Sequence, residues 1–430
     1  MNILMMTNTY LPFVGGVERS IQTFSDEYRS RGHRTVIVAP TFENMPKKEK
    51  DVVRVPAVQH FNGTDFSVQV PIPGVLNAAL EGFEPDIVHT HHPYLIGDTA
   101  LRVAARHAVP VVFTHHTFHE RYTHYVPGDS PALKRFVTSL ATGYANLCDR
   151  VIAPSHGVAE TLHARGVKRP ITVIPSGIDI DAFGTGDGNR FRKRYEIPPD
   201  AFLLGTVSRL APEKNVPFLA EAAMRFLADG DGRFFAAVGT GPSEKEIDEA
   251  ARKAGVADRV IRTGTLENQD LVDAYHALDL FLFASQTETQ GMVLTEAMAA
   301  GTPVASLRAV GVNDIVVHDR NGLLLDDGNP DDLRVVMEHY LSLPVERKRQ
   351  FAEQARSTAK SYDRSVCAEK AIELYAEAVE DGRAHHALEE SPWDQARRRI
   401  QTELHLLGNF ASATVSAMDT DQDTNPTVRQ

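Results

Sequence analysis

The strongest constraint on this chain is a repeated alternation in which short, wholly apolar runs are separated by amphipathic stretches of helical length. The first forty residues set the unit. Residues 2–7 read as an apolar strand, 12–16 as a glycine-rich loop, 17–31 as an amphipathic helix closed by Gly32, and 35–39 as a second strand. A strand with no polar alternation must be covered on both faces, and a helix between two such strands supplies the cover; the pattern predicts a parallel sheet with helices on both sides. Similar units follow, with strands at 86–89 and 111–114 around a helical stretch at 96–107, and strands at 151–153 and 171–174 around a helix at 157–165. Residues 181–199, rich in Gly, Asp and Arg and ending in a Pro-Pro pair, read as a linker. The alternation then restarts: strands at 203–207, 234–238, 260–263, 280–284 and 303–306, helices at 216–227, 244–254, 268–277 and 295–300. The expected fold is therefore α/β, two doubly wound parallel-sheet domains over 1–181 and 200–363. A helix over 364–381 and a tail over 382–430 follow. Within the tail, 392–407 reads as an amphipathic helix bearing Arg397, Arg398 and Arg399, and the composition from Ser412 onward predicts disorder.

Charge narrows the partners. The 430 residues carry a net charge of −12, unevenly spread: 17 Lys and Arg against 16 Asp and Glu up to residue 180, then 28 against 41. Neither half has the basic face of a nucleic-acid binder, and an acidic total gives little general attraction to anionic membranes. Two cysteines, no apolar run of spanning length and no basic stretch at the N-terminus lead to the expectation of a cytoplasmic protein without a disulfide framework.

In sheets of this kind ligands bind beyond the carboxyl ends of the strands, where the chain order switches, so polar residues following strands are the candidates. Arg209 and Lys214 flank the loop between the strand at 203–207 and the next helix. A planar fork and a point charge together suit a diphosphate, although an ion pair with Glu213 or a neighbouring acid fits equally well. The segment Thr287-Glu288-Thr289-Gln290-Gly291-Met292-Val293-Leu294-Thr295-Glu296 follows the strand at 280–284 and opens a helix. Gly291 allows close backbone approach, and the amides of Gly291, Met292 and Val293 suit an anion at a helix N-terminus. Glu288 and Glu296 are eight residues apart. On one helix that is a rise of about 12 Å, too far for a retaining-hydrolase pair at about 5 Å, so the two acids mark separate contacts on one extended ligand. The loop containing Gly15 and Gly16 could cradle a phosphate, yet it is not G-x-G-x-x-G and no acid follows the strand at 35–39. Histidines cluster after two strands: His89, His91 and His92, then His115, His116 and His119, with His124 beyond. The H-E-x-x-H pattern and a cysteine pair are absent, so no metal is expected; one imidazole is expected to hydrogen-bond in the site while the others are rim or core residues.

Taken together, Gly15-Gly16-Val17-Glu18, Phe113-Thr114-His115-His116-Thr117, Ile174-Pro175-Ser176-Gly177-Ile178-Asp179, Arg209 with Lys214, Gly239-Thr240-Gly241 and Glu288-x7-Glu296 resemble glycosyltransferase family 4, over about residues 1–380. The resemblance implies the GT-B fold, with its two domains facing across a cleft, retention of configuration and no cofactor or metal. It also implies roles. Arg209 and Lys214 would neutralise the diphosphate of a nucleotide-sugar donor, and Glu288 would meet the transferred sugar. Glu296 would hold the ribose, Gly16 would approach the diphosphate and His116 would lie near the reacting sugar. Gly239, Gly241 and the backbone at Leu266 would flank the nucleoside. The segments Thr287–Gly291 and Tyr122-Thr123-His124-Tyr125-Val126 look like those of the diacylglycerol glucosyltransferases within the family, which use UDP-glucose. That implies a lipid acceptor near His92, His116, Tyr122, His124 and Tyr125, and a peripheral contact at the inner face of the cell membrane. Those enzymes usually carry a strongly basic first domain, whereas this chain is near neutral there. A GDP-mannose-dependent mannosyltransferase acting on a lipid or small-molecule acceptor is the alternative; a non-catalytic nucleotide-sugar-binding protein is the alternative of another class.

Overall fold

The computed structural model describes residues 1–13, 15–46, 48–58, 68, 69, 76, 80–125, 128–326, 328–385 and 392–418. It forms two compact units, Met1–Pro175 with Ala368–Gln430, and Ser176–Cys367.

In the first unit, β1 (Asn2–Met6), α1 (Gly16–Ser30), β2 (Arg34–Pro40) and β3 (Val52–Val55) are followed by a small antiparallel pair, β4 (Ala57–Val58) and β5 (Val68–Gln69). Then come β6 (Ile87–Thr90), α2 (Ile96–His107), β7 (Val111–Thr114), α3 (Pro131–Leu147), β8 (Arg150–Ala153), α4 (His156–Ala164) and β9 (Ile171–Val173). The seven strands of the main sheet pair in parallel in the order β3-β2-β1-β6-β7-β8-β9. Ile3, Leu4, Met5 and Met6 all lie at zero exposure, as a strand covered on both faces must.

The second unit opens with two short helices, α5 (Ile180–Gly184) and α6 (Gly188–Arg194), then β10 (Phe202–Val207), α7 (Val216–Ala228), β11 (Arg233–Val238), α8 (Glu244–Ala254) and β12 (Val260–Gly264). It continues through α9 (Asn268–Ala277), β13 (Leu280–Phe283), α10 (Met292–Ala300), β14 (Val304–Leu307), β15 (Gly322–Leu325), α11 (Pro330–Ser342) and α12 (Val345–Ala359). The sheet order is β12-β11-β10-β13-β14-β15. Successive strand residues feed opposite cores. Leu203, Ala236 and Phe281 pack on one face with Ala297 and Tyr275, while Leu204, Phe235 and Leu282 pack on the other with Phe226 and Ile247. In both sheets the chain first winds outward from one strand and then returns to its other side, so the order switches between β1 and β6, and between β10 and β13.

Three local expectations are corrected. Residues 181–199 are not a free linker: Phe191 and Ile197 are buried in the second unit's core, and polar composition hid these two anchors. The helix expected at 295–300 begins at Met292, which leaves Glu288 in the turn before it. The last helix does not end at 407 but continues through Ser412–Met418, the segment expected to be disordered; residues 419–430 lie outside the described residues.

The helix α13 (Arg364–His385) carries the chain out of the second unit and into the first. Within the first unit it is tied by a buried hydrogen-bonded chain. Tyr28 Oη and Tyr375 Oη lie 3.0 Å apart, Tyr375 Oη lies 2.6 Å from His89 Nδ1, and His89 Nε2 lies 2.7 Å from Thr114 Oγ1. Within the second unit, the start of α13 is held by Gly177. The Ile178 amide donates to Tyr362 O, the Arg364 amide donates to Ile178 O, and a Cβ on Gly177 would collide with the Arg364 backbone. Gly177→Ala is therefore expected to lower the stability of this unit by about 1–3 kcal/mol, as overpacking does. Urea unfolding followed by fluorescence checks this, and an unchanged midpoint would remove the close-approach role of Gly177.

Candidate active site

The topological switch of the second sheet decides which loops can meet. β10 is followed by Ser208–Asn215 and β13 by Ala284–Gly291, and because these strands are neighbours their following loops lie side by side. There the Lys214 ammonium donates to the Glu288 carboxylate in a partly buried ion pair. Arg209 is exposed, with its guanidinium 3.8 Å from the Glu213 carboxylate. Both cations thus face acids, and a cation placed against Glu288 is one that can exchange its partner for a phosphate oxygen.

The Glu288 turn is stapled on three sides. The buried Gln290 amide spans the Ser176 backbone, accepting from Ser176 N at 2.7 Å and donating to Ser176 O at 2.8 Å. The Gly311 amide donates to Glu288 O at 3.1 Å, and Ser285 Oγ donates to Glu213 O at 3.1 Å. Gly291 then adopts φ +79°, a left-handed conformation that glycine takes without strain, and opens α10 with no side-chain cap. Met292 and Val293 begin the helix, so their amides lie at its positive end. Glu296 is buried one turn further on, and its Oε2 accepts from Tyr275 Oη at 2.6 Å. Sequence reasoning missed Tyr275, Ser285 and Gly311 because no local pattern marks them, and it marked Ser176 only as part of the segment 174–179 without a role; each reaches the site only through the fold.

Beside this turn, Gly239 and Gly241 zip the loop after β11 to residues 208–210. The Leu210 amide donates to Thr240 O at 2.9 Å, and a Cβ on Gly239 or Gly241 would strike Ser208 O or Leu210 O. Gly239 also has φ +125°. Leu266 is buried in the core.

In the first unit, the switch between β1 and β6 brings the loop after β1 against the histidines after β6. His92 Nδ1 accepts the Asn8 amide at 3.1 Å, which gives this ring a backbone-bracing role. Gly15 precedes α1, and the exposed Gly16 is its first residue. Glu18 in the first turn is buried and bonded by Thr9 Oγ1, and its carboxyl is raised above the usual range by burial. His116 is half-buried, with Nε2 2.9 Å from His91 Nδ1 and the two rings stacked at 5.1 Å. Tyr122 is half-buried within the 3-10 turn His119–Tyr125; the side chains of His124 and Tyr125, and Val126 as a whole, lie outside the described residues. The imidazoles pack on one another and on Phe113 and Phe118. Among the described residues no group of three His, Cys, Asp or Glu side chains converges as a metal site would require.

Burial disfavours the charged form of these rings. It pushes His89 and His116 down to about 3 and His119 to about 4, and lowers His91, His92 and His115 well below 6.5. They are neutral at physiological pH, which leaves the half-buried His116 a hydrogen-bonding group without charge.

Two predictions follow from this geometry. At these histidines the folded state binds fewer protons than the unfolded state below pH 6.5, so their contribution is level above that value and lowers stability as acid is added towards pH 4. Each fully buried ring contributes a slope of about 1.4 kcal/mol per pH unit. Neither ring nitrogen of buried His115 has a hydrogen-bond partner among the described residues. His115→Phe should therefore flatten the slope without loss of stability at pH 7.5, as urea midpoints at several pH values would show; an unchanged slope contradicts the neutral-ring account. In the second unit, Gln290→Ala strands the buried amide and carbonyl of Ser176. The expected cost is about 1–3 kcal/mol, with weaker nucleotide binding by calorimetry, and full retention of both properties would dismiss the staple.

Comparison with known proteins agrees with this architecture. The model for Glycosyltransferase Family 4 matches residues 14–182, and that for Glycosyl transferases group 1 matches residues 187–358. A GDP-mannose-dependent alpha-mannosyltransferase of Mycolicibacterium smegmatis is 32% identical over 361 residues, covering 81% of this chain and 90% of the relative. An alpha-monoglucosyldiacylglycerol synthase of Streptococcus pneumoniae is 29% identical over 357 residues, covering 80% and 79%. The crystal structure of Anabaena Alr3699/HepE in complex with UDP shares the fold, with a TM-score of 0.67 over 88% of this chain and 100% of that one at 20% identity. With matches along both halves and a relative above 30% identity over most of its length, the chain belongs to glycosyltransferase family 4 and carries the GT-B fold.

Proposed function

We propose that this chain is a retaining hexosyltransferase that moves glucose from UDP-glucose to an acceptor hydroxyl, with diacylglycerol as the favoured acceptor. The observation that carries the donor half is the Lys214–Glu288 pair at the switch point of the second sheet, one turn from the uncapped N-terminus of α10. Lys214 and Arg209 take the diphosphate, and the amides of Gly291, Met292 and Val293 add fixed donors without a metal ion. Glu288, released from Lys214 as the phosphate arrives, takes hydroxyls of the sugar. Glu296, oriented by Tyr275, takes the ribose. Gly239, Gly241 and Leu266 border the nucleoside. Gly15, Gly16, His92, His116, Tyr122, His124 and Tyr125 serve the first unit's side of the reaction, with neutral His116 as a hydrogen-bonding group for the sugar.

Chemistry follows from that charge arrangement. The bond from the anomeric carbon to the diphosphate lengthens, the sugar gains oxocarbenium character, and negative charge grows on the leaving oxygen. Lys214, Arg209 and the helix amides stabilise that charge in place. The acceptor hydroxyl attacks from the same face, and its proton passes to the departing phosphate.

Support for glucose and diacylglycerol comes from the resemblance of residues 287–291 and from the pneumococcal relative, an alpha-monoglucosyldiacylglycerol synthase. A second reading, GDP-mannose-dependent mannosyl transfer, is favoured by relatives of that activity at 31% and 32% identity. The enzyme is read as cytoplasmic with a peripheral contact at the membrane; among the described residues no helix is long and apolar enough to cross one.

Two measurements test this. Lys214→Ala should lower kcat about a hundredfold with the donor saturating, in line with removal of one oxyanion donor; near-wild-type turnover would overturn the assignment. A panel of UDP-glucose and GDP-mannose against dispersed diacylglycerol and soluble acceptors, with product masses recorded, separates the two donors. Absence of both product and free nucleoside diphosphate across the panel would instead identify a non-catalytic binder.

A further inference from the structure

The last helix, α14 (Pro392–Met418), lies on the first unit and is apolar on the wrong side. Its inner face is built for packing. Ala413 is fully buried, Asn409 Nδ2 donates to Leu140 O at 3.1 Å, and Arg398 Nε donates to Ala105 O at 3.2 Å. Gly143 on α3 leaves room for Asn409, where a Cβ would collide with its side chain, and Arg135 caps the helix end by donating to the carbonyls of Ser416 and Ala417. The position of the helix on the unit is thus specified by side chains.

Its outer face is where polar residues belong, and it carries Ile400, Leu404, Leu407, Val415 and Met418, each 60–75% exposed. With Phe410 these make up six of the twelve exposed large apolar side chains among the described residues. At 100° per residue, Ile400 and Met418 fall on the same line along the helix, about 27 Å apart. The other three lie within about 60° of that line, and Phe410 widens the apolar arc to about 140°. Residues 404–418 contain no Asp, Glu, Lys or Arg. Exposed Arg397 and Arg399 flank the stripe at its start, where the exposed Asp394 of the first turn also lies, and the helix's other acid, Glu403, is neutralised by Arg102 at 2.7 Å. In a chain of net charge −12, this face is locally basic and apolar.

We propose that the outer face of α14 is a docking surface for an anionic lipid bilayer. This rests on the peripheral contact proposed above and names the surface that makes it. A helix lying in the interface buries its apolar side about 5–10 Å into the headgroup and acyl boundary, and flanking arginines meet anionic headgroups. The breadth and charge of the stripe favour a bilayer over a second copy. A two-helix seam is a narrower strip with paired charges beside it, whereas the strip here is broad, has Ala411 and Thr414 at seam positions, and has no charged flank after Glu403.

Flotation of the full chain with vesicles tests the proposal. Wild type should float with phosphatidylcholine vesicles containing phosphatidylglycerol, and less with pure phosphatidylcholine. Leu404→Ser with Leu407→Ser should cut the bound fraction at least about tenfold, with an unchanged thermal unfolding curve because both side chains are exposed. Arg397→Glu with Arg399→Glu should abolish the preference for the anionic vesicles. Failure of wild type to float, or equal flotation of the serine variant, overturns the proposal. So does a wild-type dimer by light scattering that the serine variant dissolves, since a second copy would then own the face. Transfer to detergent-dispersed diacylglycerol separates this result from the functional reading: the serine variant should keep it, and its absence in wild type too would count against the acceptor alone.

Discussion

Covering both faces of a parallel sheet is the constraint from which the other features of this chain descend. Met5 and Met6 have no polar side to present, and neither do Phe281 and Leu282. The interiors of these central strands are therefore committed to packing, and the candidate chemistry falls to the loops beyond the carboxyl ends. The reversal of winding then selects which loops meet. In the second unit it joins the loop bearing Lys214 to the turn bearing Glu288; in the first it joins the loop of Asn8 to His92.

Charge compensation shapes what those loops hold. Lys214 rests on Glu288 and Arg209 near Glu213, so each of these cations beside the partly buried turn faces an opposite charge. The turn is fixed by groups that never need to touch a ligand, chiefly the Gln290 amide on Ser176. Rigid support of this kind lets Gly291 and the first amides of α10 keep one direction, the condition for fixed dipoles to stabilise developing charge. The first unit uses the opposite device. Its stacked imidazoles are kept neutral by burial, which makes His116 a polar group of constant protonation across the physiological range.

Much of the site's address was legible in the chain. Arg209, Lys214 and Glu288 follow apolar runs that periodicity marks as strands, and Gly291 precedes a helical stretch, so their place at strand ends is a local property. Their contacts were not legible. Lys214 meets Glu288 across 74 residues, Tyr275 reaches Glu296 across 21, Gln290 reaches Ser176 across 114, and Tyr375 reaches His89 across 286. None of these separations carries a periodic signal. Composition also misled in two places. The Gly, Asp and Arg content of 181–199 concealed the anchors Phe191 and Ile197. The Thr, Asp, Gln and Ser composition from Ser412 onward read as disorder, yet within 412–418 Ala413 is buried and Arg135 caps the carbonyls.

The amino-acid sequence by itself determined the layered α/β architecture and which segments end at a strand's carboxyl edge, because apolar periodicity is a short-range property that any neighbouring cover satisfies. Only the tertiary structure decided that Lys214 would rest on Glu288, that the histidines would be neutral, and that the last helix would turn an apolar face outward. Those outcomes depend on the strand order around β1 and β10, on the depth of burial, and on which side of a helix its neighbours occupy. Each is set by contacts between residues far apart in the chain.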